Sequence, residues 1–486
     1  MVDRRHGSEP RGLATVPRET SYEGRFGRLF AVNTPNRTGR LDPLDLSDDQ
    51  LEPIGDTMVE QPDVPGQASG DNESIPSGYT YFGQFIDHDI TFDASSSAQR
   101  TVDPEGRINF RTPRFDLDSL YGSGPVDDPF QYDQLGARAG KAFLLDKRSE
   151  QEVDLPRNLQ GRALIGDPRN DENTIVSQLQ AAFLQFHNKV LNHQANKGVS
   201  DDELFQATQR EVRWHYQWVV VHDYLRRIIG DDLHVQLLTR VADDGGTERE
   251  RVRLRHYRHK VNPFMPVEFS VAAYRFGHSQ VRERYLINSQ IGGDRPVFRP
   301  GSQPGDGSDF RGFQRLIGSW AASWPRLFKM DAAGPQASRL IDTKLAPSLF
   351  ALPSESSPQR RSLALRNLQA GVRLGLPSGQ AVAEEMGQAP LSDEQLAECP
   401  PGQAPLWFYV LREASELGNG GKHLGPVGGR IVGETFLGLL RADSTSYYNA
   451  KDPWLPDPAL KSDGDRRDFE MADLLRWAVP EQAKRF

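Results

Sequence analysis

Between residues 174 and 230, hydrophobic residues recur at the spacing of an α-helix. In the first run they are three or four positions apart and would share one helix face: Val176, Leu179, Phe183, Phe186 and Val190. A second run repeats the pattern: Val212, Tyr216, Val219, Val220, Tyr224 and Ile228. Gly230 follows, and glycine is typical of the position just after a helix. The pattern therefore predicts two long helices.

The rest of the chain mixes weaker helical patterns with turn-forming residues. Residues 268–290 and 311–330 also predict helices. Stretches rich in Gly, Pro and Ser predict loops at 291–310 and 353–360, and residues 94–160 predict mostly loop. The helical patterns predict a mainly α-helical fold. No internal repeat is present, so we predict a single large domain with long loops and few short strands.

Domain organisation follows from composition. Residues 1–75 are rich in Pro, Gly, Asp and Arg with few apolar runs, so we predict an extended N-terminal arm packed on the body. No sharp change in composition divides the remainder. Residues 76–486 are therefore predicted to form one catalytic domain.

Charge and cysteine content exclude several classes of protein. The chain has 486 residues and a net charge of −9, which argues against a nucleic-acid-binding protein. Residues 245–260 are locally basic and predict a solvated strand or hairpin. No stretch reaches the roughly 20 apolar residues of a membrane span.

Cys399 is the only cysteine, so no internal disulfide forms. With no recognisable signal peptide, we expect a cytoplasmic protein, with non-classical export as the alternative.

Polar residues interrupt an aromatic and aliphatic run at residues 79–93. On a helix, Gln84 and His88 would share a face because they are four residues apart. Asp87 and Asp89 would each be turned away by about 100°. Carboxylates are rarely buried unless they are paired or bind a cation. The segment therefore predicts a histidine base, a carboxylate at the rim of its site and a carboxylate for a metal.

Other chemistry lies in three short segments. Thr112, Asp116 and Asp118 supply oxygen atoms that suit Ca²⁺, although the spacing alone favours a solvated acidic turn. Arg169 and Glu172 precede the helix at 174, where they either project into a cavity or simply accompany a capped helix. His278 follows Gly277, which leaves room beside the ring; on its own, it is more often a structural histidine.

Taken in chain order, these segments resemble the animal-type haem peroxidases of the peroxidase–cyclooxygenase superfamily, in a bacterial-like branch without disulfides. The resemblance runs from about residue 75 to 450. Its motifs are Gly83-Gln84-Phe85-Ile86-Asp87-His88-Asp89, Thr112 to Asp118 with Leu120-Tyr121-Gly122, Asp167-Pro168-Arg169 with Glu172, Phe186-His187-Asn188, Arg275-Phe276-Gly277-His278, Asn367-Leu368-Gln369 with Gly375-Leu376-Pro377, and Leu424-Gly425-Pro426 through Thr435-Phe436.

The resemblance implies a peroxidase that uses H₂O₂ to oxidise a small organic or halide donor through a ferryl and porphyrin-radical intermediate. His278 would ligate the iron of haem b, with Asn367 bound to its other ring nitrogen. His88 would move a proton between the peroxide oxygens, and Gln84 would order water or a halide. Arg169 would stabilise charge on the departing oxygen.

The resemblance also assigns the haem rim and a calcium site. Arg275 would face the haem edge, and Asp87 and Glu172 match carboxylates that form ester links to haem in mammalian members. A calcium ion would be held by the following groups: Asp89, Thr112, the carbonyl of Arg114, Asp116 and Asp118. This ion would clamp the helix that carries His88. The resemblance does not assign the donor or an oligomeric state.

Some positions depart from the family, and other functions compete. Asn173 stands where a methionine would form a sulfonium link to haem, and Ala370 stands where mammalian members have an arginine. Fatty-acid dioxygenases of the same superfamily carry a radical tyrosine three residues before the proximal histidine; here that position is Arg275, and Tyr274 is one place off. A haem-free interaction module is the second alternative. A hydrolase metal centre is disfavoured, because His187 and His193 do not share a helix face.

Overall fold

Helices dominate the computed structural model, which describes residues 26–33, 38–62, 70–92, 111–149, 152–242, 246–259, 262–299, 307–352, 361–461, 464–482 and 484. The α-helices of these residues are α1 Asp48–Asp56, α2 Gly78–Ile90, α3 Asp118–Tyr121, α4 Thr174–Asn196, α5 Asp201–Trp218, α6 Arg226–Ile229, α7 Asp231–Leu237, α8 Val267–Ser270, α9 Leu363–Arg373, α10 Gly379–Glu385, α11 Leu406–Leu417, α12 Pro426–Ala442 and α13 Met471–Ala478. The predicted mainly α-helical fold class is confirmed.

Short 3₁₀ helices connect many of these elements. They are Pro129–Gln131, Gly136–Arg138, Pro168–Asp171, Ala273–His278, Gly318–Trp320, Trp324–Arg326, Pro347–Phe350, Tyr447–Asn449, Pro458–Leu460 and Arg466–Asp468. Two of them, Pro168–Asp171 and Ala273–His278, carry candidate functional residues.

The described strands form small two-stranded sheets. They are β1 Phe26–Gly27, β2 Asp71–Pro76, β3 Asp146–Lys147, β4 Val153–Asp154, β5 Leu238–Ala242, β6 Glu248–Val252, β7 Met265–Pro266, β8 Arg284–Tyr285, β9 Arg295–Pro296 and β10 Ala337–Arg339. β1 pairs with β7 in parallel; the antiparallel pairs are β2–β10, β3–β4, β5–β6 and β8–β9. In the β5–β6 hairpin Thr239 lies opposite Arg251, and the largely exposed β6 confirms the predicted solvated hairpin.

The two strongest helical patterns form helices as predicted. α4 begins after Asn173, whose side chain accepts a hydrogen bond from the Val176 backbone. All five predicted apolar positions of α4 are buried. α5 continues through a π-helical segment, Val219–Leu225, into α6, and the run ends at Gly230 with φ of 78°. A positive φ favours glycine, as expected for this helix end.

Helix α2 lies inside the core, and aromatic contacts hold it there. Phe85 stacks on Phe183 of α4 with ring centroids 4.8 Å apart, and Phe82 stacks on the same ring at 6.3 Å. The rings of Tyr216 and Tyr224 meet Phe82 edge-on. Burying an aromatic side chain contributes roughly 1.5–3 kcal/mol, so this cluster stabilises the position of α2 strongly.

The predicted helices at 268–290 and 311–330 are wrong. The first segment contains α8 and a 3₁₀ helix, because Ala272 at φ −127° and ψ −81° interrupts the helix between them. In the second segment, Gly312 donates its N–H to the Glu172 carbonyl at 2.9 Å, and Phe313 takes a left-handed φ of 56°. The start of this segment therefore bonds to another part of the chain, and only the short 3₁₀ helices Gly318–Trp320 and Trp324–Arg326 form within it.

The predicted N-terminal arm is described in part. Residues 1–25 and several further positions lie outside the described residues, including Asp93, 94–110 and the predicted loop at 353–360. Within the arm, α1 packs on α9, and Arg28 donates to the carbonyl of Leu374 at 2.6 Å. β2 crosses the predicted boundary at residue 75, so that boundary stays a prediction. None of the described helices is both long and apolar enough to cross a bilayer.

Candidate active site

One face of α2 is less completely buried than the rest. Every residue of this helix is buried except Gln84 and Asp87, which are half-buried. Asp87 and His88 lie three and four positions after Gln84, so both project from the same side of the helix as Gln84. The opposite side carries Phe82 and Phe85 into the core, which explains why only this side is available for chemistry.

His88 is held between two side chains from the segment that precedes α4. Its Nδ1 lies 2.8 Å from Oδ1 of Asn170, and its Nε2 lies 3.6 Å from Oε1 of Glu172. Burial lowers the pKa of His88 below its ordinary value, and the nearby Arg169 guanidinium lowers it further. The imidazole is therefore neutral near pH 7 and can accept a proton.

Gln84 and Glu172 form a pair on the same side. The Gln84 amide nitrogen donates to Glu172 Oε1, and the Gln84 oxygen accepts from Nδ2 of Asn173 at 2.9 Å. Asn173 also caps α4, so the start of that helix fixes the position of Gln84. The structure thus brings Gln84, His88 and Glu172 together.

Arg169 lies beside α2 and is anchored by a buried carboxylate. Asp167 accepts hydrogen bonds from Arg169 Nε at 3.2 Å and from Nη2 at 2.8 Å. Nη2 also donates to the backbone carbonyl of His88 at 2.9 Å, and the guanidinium lies over the Phe92 ring. Arg111 binds the same Asp167 carboxylate. Together the two arginines hold the pKa of Asp167 well below its ordinary value, despite its burial.

His278 ends the 3₁₀ helix Ala273–His278. Nδ2 of the Asn367 side chain lies 2.8 Å from its Nδ1. Nε2 is the ring nitrogen left for a metal; because Nδ1 must then carry the hydrogen, the Asn367 amide would turn its oxygen toward Nδ1 when a metal binds. A histidine whose ring is oriented in this way by a second residue is typical of metal sites.

Open space lies beside this histidine. Apart from its chain neighbours Phe276 and His278, no described residue has a heavy atom within 4 Å of the position that a Cβ would take on Gly277. Arg275, Gly277 and His278 are half-buried, whereas Phe276 and Ser279 are buried. The exposed side of this turn can therefore accept a large, flat group.

The turn that carries His278 touches α2 directly. Arg275 Nη1 lies 3.6 Å from Oδ2 of Asp87, and the Tyr274 hydroxyl donates to the Gly83 carbonyl at 3.1 Å. Asp87 also accepts from the Thr91 hydroxyl at 2.8 Å. The sides of α2 and of the turn that bear candidate residues therefore border one region.

A second cluster of carboxylates lies behind His88. Asp89 is fully buried and accepts hydrogen bonds from the backbone of Leu117 at 3.2 Å and from the Ser119 hydroxyl at 3.3 Å. Burial, with Asp116 and Asp118 nearby, raises the pKa of Asp89 well above its ordinary value. Burial also raises the pKa of Asp116 to about 6.

The carboxylate and hydroxyl oxygens of this cluster are of the type that binds a cation, but they are not already arranged as a metal site. The Thr112 hydroxyl donates to Asp116 at 2.7 Å, and Asp118 accepts from Arg111 at 2.9 Å. In the part of the chain that the structure describes, no three His, Cys, Asp or Glu side chains converge as a metal site. Calcium therefore stays a prediction.

Sequence reasoning missed three residues of the site. Asn170 and Asn173 stand in the same short segment as Arg169 and Glu172, but their partners are 82 and 89 residues away in the chain. Arg111 joins the acidic segment to Asp167. An Asn before a helix is an ordinary cap signal, so the sequence offered a reason only for Asn173.

Comparison with known proteins adds a family assignment. A family model described as animal haem peroxidase matches residues 95–378. The matched range contains Arg169, Glu172, His278 and Asn367 and begins after α2. A chorion peroxidase from Aedes aegypti is 25% identical over 290 residues, which is 59% of this chain and 34% of that protein.

Solved structures share the fold at lower identity. Peroxidase A from Dictyostelium discoideum superposes with a TM-score of 0.62 at 17% identity, covering 92% of each chain. A fatty acid alpha-dioxygenase from Arabidopsis thaliana superposes with a TM-score of 0.56 at 15% identity, covering 99% of this chain and 82% of that one. The first curated relatives match over 15% to 34% of their own length.

We predict that Asp167→Asn destabilises the fold by about 3–5 kcal/mol, because the buried Arg111 and the half-buried Arg169 lose their shared counter-charge. Since the folded-state pKa of Asp167 lies well below its ordinary value near 3.9, its contribution is present above about pH 4 and is lost as pH falls below it. Urea unfolding at pH 7 and pH 3.5 measures both effects.

The control is Asp201→Asn, which removes an exposed pair with Lys141. This control should unfold at the same urea concentration as the unsubstituted chain. A midpoint for Asp167→Asn that equals the midpoint of this control would show that Asp167 does not anchor the site.

Proposed function

This chain belongs to the animal haem peroxidase family, and from that membership we propose that it binds haem b between α2 and the turn Ala273–His278. With this haem it would use H₂O₂ to oxidise small organic or halide donors. The observation that carries the proposal is the 3.6 Å contact between Asp87 and Arg275. His88 follows Asp87, and His278 lies three residues after Arg275, so this contact joins the two segments that carry the histidines.

The residues on the His278 side fit a haem. His278 would bind the iron through Nε2, and Asn367 would keep the ring oriented through Nδ1. The open space at Gly277 leaves room for the porphyrin beside the ring. When bound, the haem would supply the redox chemistry that splits the O–O bond.

The residues on the α2 side would move the proton. His88, kept neutral by burial, would take a proton from one peroxide oxygen through Nε2 and return it to the departing oxygen. Arg169 supplies positive charge beside this position. Gln84, fixed by Glu172 and Asn173, would order water or a halide in the same pocket.

Two carboxylates would lie at the haem rim. Asp87 faces Arg275, and Glu172 lies between Gln84 and His88. We propose both as contacts of the haem periphery and as the candidates for ester attachment. Extraction of haem into acidified acetone, followed by mass spectrometry of the peptides, reports whether either ester forms.

We also propose a calcium ion at Asp89, Thr112, the Arg114 carbonyl, Asp116 and Asp118. The support is electrostatic: two of these carboxylates have raised pKa values because they are buried near one another, and a divalent cation would relieve that repulsion. Asp89 follows His88 directly, so the ion would fix the position of the His88 imidazole.

A second reaction competes because an alpha-dioxygenase shares the fold. The position three before His278 is Arg275, and the Tyr274 hydroxyl is bonded to the Gly83 carbonyl. Tyr274 is buried and packs on Phe269 and Phe436. These contacts favour a peroxidase.

We predict that His278→Ala abolishes the Soret band of the purified protein, because the iron loses its ligand. The control is His259→Ala, a histidine outside the site, which should keep the band. A pyridine-haemochrome assay measures bound haem in both. An unchanged band in His278→Ala would contradict the ligand assignment, and no band in the unsubstituted chain would favour the haem-free interaction module.

Removal of calcium should weaken the Soret band and the peroxidase rate together, because the clamp on α2 is lost. Calcium content is measured by plasma mass spectrometry before and after chelation, and both signals should return on adding Ca²⁺ but not Mg²⁺. Full activity in a metal-free sample would contradict the clamp.

We predict H₂O₂-dependent oxidation of phenols or halides and no oxygen uptake with a fatty acid. Absorbance of the oxidised donor and an oxygen electrode measure the two reactions on the same preparation. Oxygen uptake that is lost in Tyr274→Phe would favour the dioxygenase, whereas oxidation that is kept in Tyr274→Phe supports the peroxidase.

A further inference from the structure

We propose that Asn170, backed by Gln180, is a positioning residue that sets the tautomer of His88. The inference rests on the proposed function, in which His88 is the base. Its evidence is a chain of three buried side chains. His88 Nδ1 lies 2.8 Å from Asn170 Oδ1, and Asn170 Nδ2 donates to Gln180 Oε1 at 2.9 Å. Asn170 and Gln180 are both 0% exposed.

The direction of these bonds decides where the proton lies on the ring. The Asn170 amide nitrogen is committed to the oxygen of Gln180, so the Asn170 oxygen faces His88. An amide oxygen only accepts hydrogen bonds, and Nδ1 must therefore carry the hydrogen. In the neutral ring, the lone pair then lies on Nε2.

Nε2 is the nitrogen that faces the site. It lies on the side of Glu172, 3.6 Å from Oε1, where Gln84 also binds. A general base must present a lone pair to the proton that it removes. With the other tautomer, His88 would present an N–H to the peroxide and could not start the reaction.

Gln180 is needed because it holds the Asn170 amide in this orientation. Its Nε2 has no hydrogen-bond partner in the described part of the chain, although a buried unpaired donor is unfavourable. Rotating both amides would give that donor a partner, but would turn the Asn170 nitrogen toward His88 and reverse the tautomer. In the structure the Gln180 donor is instead unpaired, and His88 carries its hydrogen on Nδ1 and its lone pair on Nε2.

The tautomer can be read directly by ¹⁵N NMR of protein labelled at histidine, in the diamagnetic ferrous carbonyl form. The His88 signals are assigned by comparison with His88→Gln. We expect hydrogen on Nδ1 in the unsubstituted chain and a mixture of tautomers in Asn170→Ala. The rate constant for the reaction with H₂O₂ should fall, by no more than the roughly 10²- to 10⁴-fold that general base catalysis contributes.

Two further substitutions separate positioning from a merely structural role. Asn170→Asp should restore the tautomer, because a carboxylate accepts from Nδ1 and the unpaired Gln180 amide can rotate to donate to it. Gln180→Leu should mix the tautomers. Its matched control is Gln178→Leu on the same helix, a residue that is equally buried but bonds to the Val153 carbonyl. Gln178→Leu should unfold as easily and leave His88 unchanged.

Hydrogen on Nε2 in the unsubstituted chain, or equal effects of Gln180→Leu and Gln178→Leu on His88, would overturn the proposal. Failure of the proposed function would look different. If the purified chain binds no haem, the same NMR measurement on that chain still reports the tautomer, and only the proposed function falls.

Discussion

Nearly complete burial of α2 is the constraint on which the rest of the structure depends. A polar group inside a protein must find a partner, and α2 carries four polar side chains in six residues. They find their partners on three different segments. Gln84 and His88 are bound by the residues before α4, Asp87 faces Arg275, and Asp89 accepts from Leu117 and Ser119. Segments that are remote in sequence therefore meet at this helix.

The same constraint explains why single buried residues each support two parts of the site. Asp167 binds both Arg111 and Arg169, so one buried carboxylate ties the acidic segment to the arginine beside His88. Asn173 both starts α4 and holds Gln84. Residues that shape the helix ends are also the ones that orient the chemistry. This sharing makes the position of His88 depend on folding of the whole domain.

Much of this arrangement was accessible from the sequence, because strong periodicity predicts helices well. α4, the helix through Val219–Leu225 and the cap at Gly230 followed from spacing alone. The positions of Gln84, His88, Arg169, Glu172, His278 and Asn367 were anticipated from motifs. Asn170 was not, since its importance depends on a contact with a residue 82 positions away. The helices predicted at 268–290 and 311–330 are wrong because the hydrophobic residues there contact other segments. Such contacts cannot be predicted from the local spacing of hydrophobic residues.

The π-helical segment Val219–Leu225 has a consequence for how the chain can vary. A π-turn accommodates one more residue than an α-turn, and it often survives because the extra residue serves a site. Here the segment brings the Tyr224 hydroxyl against Gly83, where a side chain on residue 83 would collide with it. A chain shortened by one residue could form a more regular helix, yet Tyr224 would rotate away from α2. The length of this helix and the glycine at 83 are therefore tied together, so that natural variation at one should be accompanied by variation at the other.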